Sequence, residues 1–223
     1  MLNSTPKIKI CGITREADAQ FAADLGVDAL GFVLAESPRR VDPHVVRKIT
    51  LSLPPFVSTV GVFVDADTDS VSQMAAFCRL DWIQLHGNET PDYCKALDFR
   101  LLKAIRVKDR QSVELMAAYK DCVNGFVLDT YVKGQQGGTG KAFDWTLARD
   151  AGKYGPVILS GGLTPENVRE AIQAVCPHGV DVSSGVESRP GIKDHDKMRR
   201  FVEQAIKSGS DSVSKPKQAR DIT

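Results

Sequence analysis

The chain lacks a long apolar run, an excess of charge of either sign, and any pairing pattern among its cysteines. None of its hydrophobic stretches approaches the ~18 residues that a membrane-spanning helix needs. Lys and Arg number 29 against 28 Asp and Glu, a net charge of +1. So weak a field argues against nucleic acid or an anionic membrane as a partner. The five cysteines, Cys11, Cys78, Cys94, Cys122 and Cys176, are odd in number and widely scattered. They show neither C-x-x-C spacing nor a disulfide framework, which points to a reducing, cytoplasmic setting. The start, Met1-Leu2-Asn3-Ser4-Thr5-Pro6, has neither a basic end nor an apolar centre, so no secretory signal is read there.

What is present is an alternation of short apolar runs with amphipathic segments. The 223 residues are 42% hydrophobic and 26% charged, enough for one domain with a sizeable core. Strands are expected at Lys7–Cys11, Ala29–Leu34, Ser58–Val64, Trp82–His86, Leu101–Val107, Gly125–Asp129, Val157–Ser160 and Gly179–Ser183. They recur roughly every 25 residues, the spacing of βα units. Between them, Glu16–Leu25 reads as a helix that Gly26 ends, and Thr164-Pro165-Glu166-Asn167 as the start of another that Cys176-Pro177 ends. The fold class is therefore α/β, a single-domain (β/α)8 TIM barrel over residues 1–207. An open doubly wound sheet is the alternative, and no G-x-G-x-x-G follows the first strand to support it. Residues 208–223 form a polar tail without periodicity and are read as disordered. The glycine-rich stretch from Tyr131 to Lys141 reads as a mobile loop and a candidate lid.

In such a barrel the strand C-termini converge on one face, which holds the chemistry. Cys11 ends the first strand and Asp129 the sixth, a thiol and a carboxyl placed to act as base and acid. Bland readings stand beside these: a core cysteine, and a cap or turn aspartate. A free thiol has a pKa of ~8.5 and a carboxyl of ~3.9, so each needs help to serve at neutral pH. Ser160-Gly161-Gly162-Leu163 follows the seventh strand and Ser183-Ser184-Gly185-Val186 the eighth, where backbone N–H groups commonly cradle phosphate. Arg39 follows the second strand and suits a carboxylate, with Arg40 next to it an open alternative. His86 reads as a substrate contact or a structural histidine, and Asp181 as a partner for a ribose hydroxyl. No cluster of His, Cys and carboxylates suggests a metal.

Taken together, Lys9-Ile10-Cys11-Gly12-Ile13-Thr14, Gly61-Val62-Phe63, Gln84-Leu85-His86-Gly87, Leu128-Asp129-Thr130, Gly137-Gly138-Thr139-Gly140-Lys141, Ser160-Gly161-Gly162-Leu163 and Asp181-Val182-Ser183-Ser184-Gly185-Val186-Glu187 resemble the phosphoribosylanthranilate isomerase family of tryptophan biosynthesis. The resemblance covers residues 7–207. It implies an Amadori rearrangement of N-(5-phosphoribosyl)anthranilate to 1-(2-carboxyphenylamino)-1-deoxyribulose 5-phosphate, with no cofactor or metal. By analogy Asp129 is the general acid at the furanose ring oxygen and Cys11 the base at C2. Arg39 would hold the anthranilate carboxylate. Gly161, Gly162, Ser183, Ser184 and Gly185 would cradle the phosphate. The expected partner is the small phosphoribosyl substrate. A monomer is favoured and a homodimer left open. Two other functions compete: a phosphosugar-binding barrel without turnover, and another phosphosugar enzyme such as an aldolase, for which Lys103 is the one tempting Schiff-base lysine.

Overall fold

The computed structural model describes residues 5–129 and 145–211. Eight strands, β1 (Lys7–Cys11), β2 (Ala29–Val33), β3 (Ser58–Phe63), β4 (Trp82–Leu85), β5 (Arg100–Arg106), β6 (Gly125–Asp129), β7 (Val157–Ser160) and β8 (Gly179–Val182), close into a parallel barrel in chain order. β8 pairs back onto β1, with Lys9 opposite Asp181. Around the barrel lie α1 (Glu16–Asp24), α2 (Pro43–Ser52), α3 (Thr68–Cys78), α4 (Pro91–Lys95), α5 (Arg110–Glu114), α6 (Trp145–Ala151), α7 (Val168–Val175) and α8 (His195–Asp211). The eight-strand barrel read from the sequence is the fold that forms. No described helix is long and apolar enough to cross a membrane.

Local sequence explains where the helices begin. Asp42, Asp67, Thr90 and Asp109 each accept a backbone N–H in the first turn of α2, α3, α4 and α5. Pro43 and Pro91 fill first-turn positions whose N–H would have no partner. α7 departs from expectation. It starts at Val168, because Asn167 Oδ1 accepts from the Thr164 N–H (2.8 Å) and closes Thr164–Asn167 into a turn of its own. α8 runs through Asp211, and Ser208, where the tail was expected to begin, is buried. The proposed lid from Tyr131 to Lys141 and the chain beyond Asp211 lie outside the described residues.

Strand alternation sorts the side chains into two shells. One shell packs between sheet and helices and includes Ile8, Ile10, Leu30, Phe32, Ile83, Leu85, Phe126 and Leu128. The other fills the barrel lumen, where Val60, Leu102, Ala104 and Val127 form a cluster. Both faces are buried, so the strands read as apolar runs rather than alternating ones. Lys9 and Cys11 share the lumen parity on β1, Gln84 on β4, Asp129 on β6 and Asp181 on β8. The last lumen position of several strands is therefore the first position of the site.

Past β8 the chain makes a short 3-10 helix, Ser184–Val186, then a hairpin of β9 (Glu187–Arg189) and β10 (Ile192–Lys193). This hairpin was not anticipated, although Pro190-Gly191 is a turn signal. It returns Lys193 to the underside of the strand ends.

Candidate active site

Cys11 closes β1 at 8% exposure, opposite Gly31 of β2. A Cβ at Gly31 would lie 2.7 Å from the Cys11 sulfur, so only glycine leaves room for the thiol. The N–H groups of Gly12 and Ile13 both donate to the Gly31 carbonyl and fix the turn after the thiol. Burial pushes the Cys11 thiol up. Lys9 and Lys193 pull against that, and Asp181 adds to it.

Asp129 closes β6 with its side chain 25% exposed. His86, just past β4, points its Nε2 at Asp129 Oδ2 across 3.7 Å, and Nδ1 lies 3.0 Å from Gln84 Nε2. With that amide nitrogen donating, Nδ1 accepts and the ring proton sits on Nε2, toward the carboxyl. Arg106 and Ser160 are the register partners of Asp129 on the neighbouring strands, and Arg106 is exposed. No role for Arg106 was read from the sequence.

The turn just after His86 is held by a buried carboxylate, Glu89, for which no role was read from the sequence. Glu89 accepts from the N–H groups of Asp65 and Gly87 and from Lys103 Nζ at 2.9 Å. Lys103 also donates to the carbonyls of Leu85 and Gly87. Its parity faces the helices, and its three acceptors tie up an amine that a Schiff base would need free.

Arg39 meets the site through an unforeseen partner. Its Nε and Nη2 grip Glu187 in a two-pronged pair, at 2.9 Å to Oε1 and 2.8 Å to Oε2. Its Cδ and the Ser183 hydroxyl converge on Gly12, next to Cys11. Arg40 is exposed and only its backbone bridges to Val33. Lys193 takes the other side of Glu187 at 2.9 Å and donates to the carbonyls of Cys11 and Ser183 at 2.6 and 3.2 Å. Burial would raise the Glu187 carboxyl, but bonds from Arg39 and Lys193 hold it below its ordinary value. Burial lowers the Lys193 ammonium and Glu187 only partly restores it.

The two expected phosphate loops lie side by side on this face. Gly161 and Gly162 take positive φ, +84° and +69°, and a Cβ on Gly162 would meet nothing within 4 Å. Its backbone opens onto free space. A Cβ on Gly185 would collide with the Leu163 carbonyl oxygen, so the 3-10 turn and the β7–α7 loop pack backbone to backbone. Ser184 is exposed at the turn. Asp181 has its side chain 5% exposed, one lumen layer below Cys11, with Oδ2 held by Lys9 at 2.9 Å. No group of three or more His, Cys, Asp or Glu suited to a metal lies among the described residues.

At the opposite end of the barrel lies a cavity of about 340 Å³, with Phe56, Trp82, Leu102 and Ile158 in its wall beside Lys7, Lys9, Asp28 and His178. Phe56 stands fully in solvent at 101% exposure and takes a positive φ of 71°.

Residues 8–204 match the sequence profile of N-(5′-phosphoribosyl)anthranilate (PRA) isomerase. The chain is 52% identical over 203 residues to N-(5′-phosphoribosyl)anthranilate isomerase of Moorella thermoacetica, covering 91% of this chain and 90% of the relative. It superimposes with a TM-score of 0.81 and 39% identity on a phosphoribosyl anthranilate isomerase in complex with reduced 1-(o-carboxyphenylamino)-1-deoxyribulose 5-phosphate, covering 90% of this chain and 98% of that one. A third similarity, TM-score 0.80 at 38% identity over 90% of this chain and 98% of the other, is to monomers generated from the dimeric phosphoribosylanthranilate isomerase of Thermotoga maritima.

Proposed function

This chain belongs to the N-(5′-phosphoribosyl)anthranilate isomerase family and has that isomerase role in tryptophan biosynthesis; from this premise we propose which of its residues carry the reaction. The observation that carries the assignment is the arrival of one thiol and one carboxyl, Cys11 and Asp129, at lumen positions on the same rim. Asp129, protonated, gives its proton to the furanose ring oxygen. The C1–O bond breaks, and the anthranilate nitrogen supplies the electron pair that makes an iminium. That cation acidifies the C2–H bond, and the Cys11 thiolate takes the proton. The C–H electrons form the enolamine, which tautomerises to the ketose.

The iminium resolves the difficulty of a buried thiol as base, since a weak thiolate population suffices once the C–H is acidified. His86, facing Asp129, supports the carboxyl's placement. Arg39 is the group for the anthranilate carboxylate. Its Nη1 takes no part in the Glu187 pair, and Gly12 brings it beside the base. Gly161, Gly162, Ser183, Ser184 and Gly185 form the phosphate cradle. The free thiols suit a reducing cytoplasm.

The test is turnover of freshly generated N-(5′-phosphoribosyl)anthranilate by wild type, Asp129→Ala and Cys11→Ala. Wild type is expected to turn over, and each variant to lose roughly 10²–10⁴-fold in kcat. A folded wild type without turnover would leave the binding-barrel reading in its place.

For assembly, Phe56 favours a homodimer over the monomer. The solvent-exposed ring stands at a cavity whose wall joins Trp82, Leu102 and Ile158 to Lys7, Asp28 and His178, so each copy carries both knob and hole on one face, the self-complementarity a two-fold interface requires. The dimeric Thermotoga maritima relative supports that reading.

A further inference from the structure

Lys9 has no part in the chemistry above, and its position asks for one. It lies two residues before Cys11 on β1, on the same lumen side, at 3% exposure. Its lumen neighbours Val60, Leu102, Ala104 and Val127 are apolar. A buried ion pair in such a place is weak evidence for stability, since apolar replacements of similar volume commonly serve as well. The ammonium stays charged nonetheless. Burial acts to lower its pKa, but Asp181 and then Cys11 raise it above the ordinary lysine value. Asp181 Oδ2 is its fixed partner at 2.9 Å, while Oδ1 is buried with no partner among the described residues.

We propose that Lys9 is a positioning residue for the base: its ammonium, anchored by Asp181 one layer below the strand ends, faces the Cys11 thiol and stabilises the thiolate that takes the C2 proton. The other charged groups facing Cys11 are Asp181 from β8, Lys193 from β10 and Arg39 from the β2–α2 loop. Lys193 and Arg39 share one carboxylate, Glu187, and come from other elements than the thiol's own strand. Lys9 alone of these cations stands on β1 itself, two residues before the thiol and on the same lumen side. Lys9 and Asp181 sum to zero, and the pair turns its positive end to the sulfur, with Lys9 favouring the thiolate and Asp181 opposing it. The proposal rests on Cys11 being the base.

The experiment reads the Cys11 thiol directly, without substrate. The pH dependence of its iodoacetamide alkylation is followed by peptide-resolved mass spectrometry, alongside kcat/KM across the same pH range. The double variant Lys9→Met/Asp181→Asn removes both charges without leaving a lone buried one. Its midpoint is expected to rise by about one unit. Thiolate fraction and kcat/KM at neutral pH then fall roughly tenfold and recover as pH is raised. Lys9→Met alone should raise the midpoint too, whether Asp181 then stays ionised or takes up a proton. Lys9→Arg, which retains the charge, should stay near wild type. A rise on losing the cation and none on exchanging it for another is the signature that a merely structural pair does not give. Should the double variant not fold, a Lys9→Met midpoint unmoved or lowered overturns the proposal by itself. Shifted midpoints with kcat/KM unmoved would instead overturn the base assignment beneath it.

Discussion

A carboxyl that is ionised at neutral pH makes a poor acid, so the role given to Asp129 has a sharp consequence. Asp129→Asn keeps the shape and the contact with His86 but removes the transferable proton. It is expected to lower kcat by roughly 10²–10⁴-fold while a non-reacting product analogue still binds within a few-fold of wild type. Calorimetric titration beside steady-state kinetics checks both halves, and a matching loss of affinity would make Asp129 a binding group. Arg39 gives the opposite pattern. Arg39→Lys cannot reproduce the planar fork that holds Glu187 while reaching a second carboxylate. KM should rise at least as much in Arg39→Lys as kcat falls, and an unchanged KM would move carboxylate recognition elsewhere. Cys11 and Asp129 were legible because each interrupts an apolar run at a strand end. Lys9, Glu89, Glu187 and Lys193 were not, since their partners stand 172, 14, 148 and 6 residues away in the chain. Charged residues in a sequence read as solvated until the fold supplies the partner.

Elements were legible to the extent that their ends carry local signals. The strand runs and the capped helices follow from neighbouring residues, whereas the early start read for α7 failed because Asn167 closes a competing turn. The β9–β10 hairpin shows what a missed element can hold. It sets Glu187 between Arg39 and Lys193 and ties the β8 end to the β2 end. The Glu187 carboxyl is depressed in the folded chain, so its stabilising contribution is fully present above the ordinary glutamate pKa of ~4.3. It is lost as pH falls through that value toward the lower folded one. Glu187→Gln should therefore melt below wild type at pH 7, with the gap closing as the pH drops under about 4. A gap that stays constant with pH would mean that the carboxylate charge is not what holds the hairpin. Asp18 plays the same part between α1 and α8. Its side chain is fully buried and accepts from Arg15 and from His195 at the start of α8, whose ring stacks on Phe21 at 4.0 Å. Asp18→Ala should cost about 2–3 kcal/mol in urea unfolding, with the slope against denaturant unchanged.

Closure of the barrel gives the whole molecule two ends with different tasks. The strand C-termini gather the thiol, the carboxyl and the glycine loops. The strand N-termini leave the cavity and Phe56 beside it. Sequence cannot separate Phe56 from a core residue, because an aromatic ring just before a strand ordinarily packs inward. Only the folded chain shows it outward, in a left-handed conformation that costs a non-glycine residue of order 1–3 kcal/mol. Two copies joined face to face would each seat a ring in the other's cavity. Burying a phenylalanine contributes about 1.5–3 kcal/mol, and the two-fold axis doubles it. Sedimentation equilibrium at micromolar concentration should give wild type twice the 24.3 kDa chain mass, and Phe56→Ser the single mass with a lower melting temperature. Because the site lies at the other end of the barrel, kcat/KM of the dissociated variant should match wild type within about twofold, a difference of only ~0.4 kcal/mol. A wild type that sediments as the single chain would remove the dimer, while a dissociated variant with activity lost would mean that the two ends of the barrel are coupled.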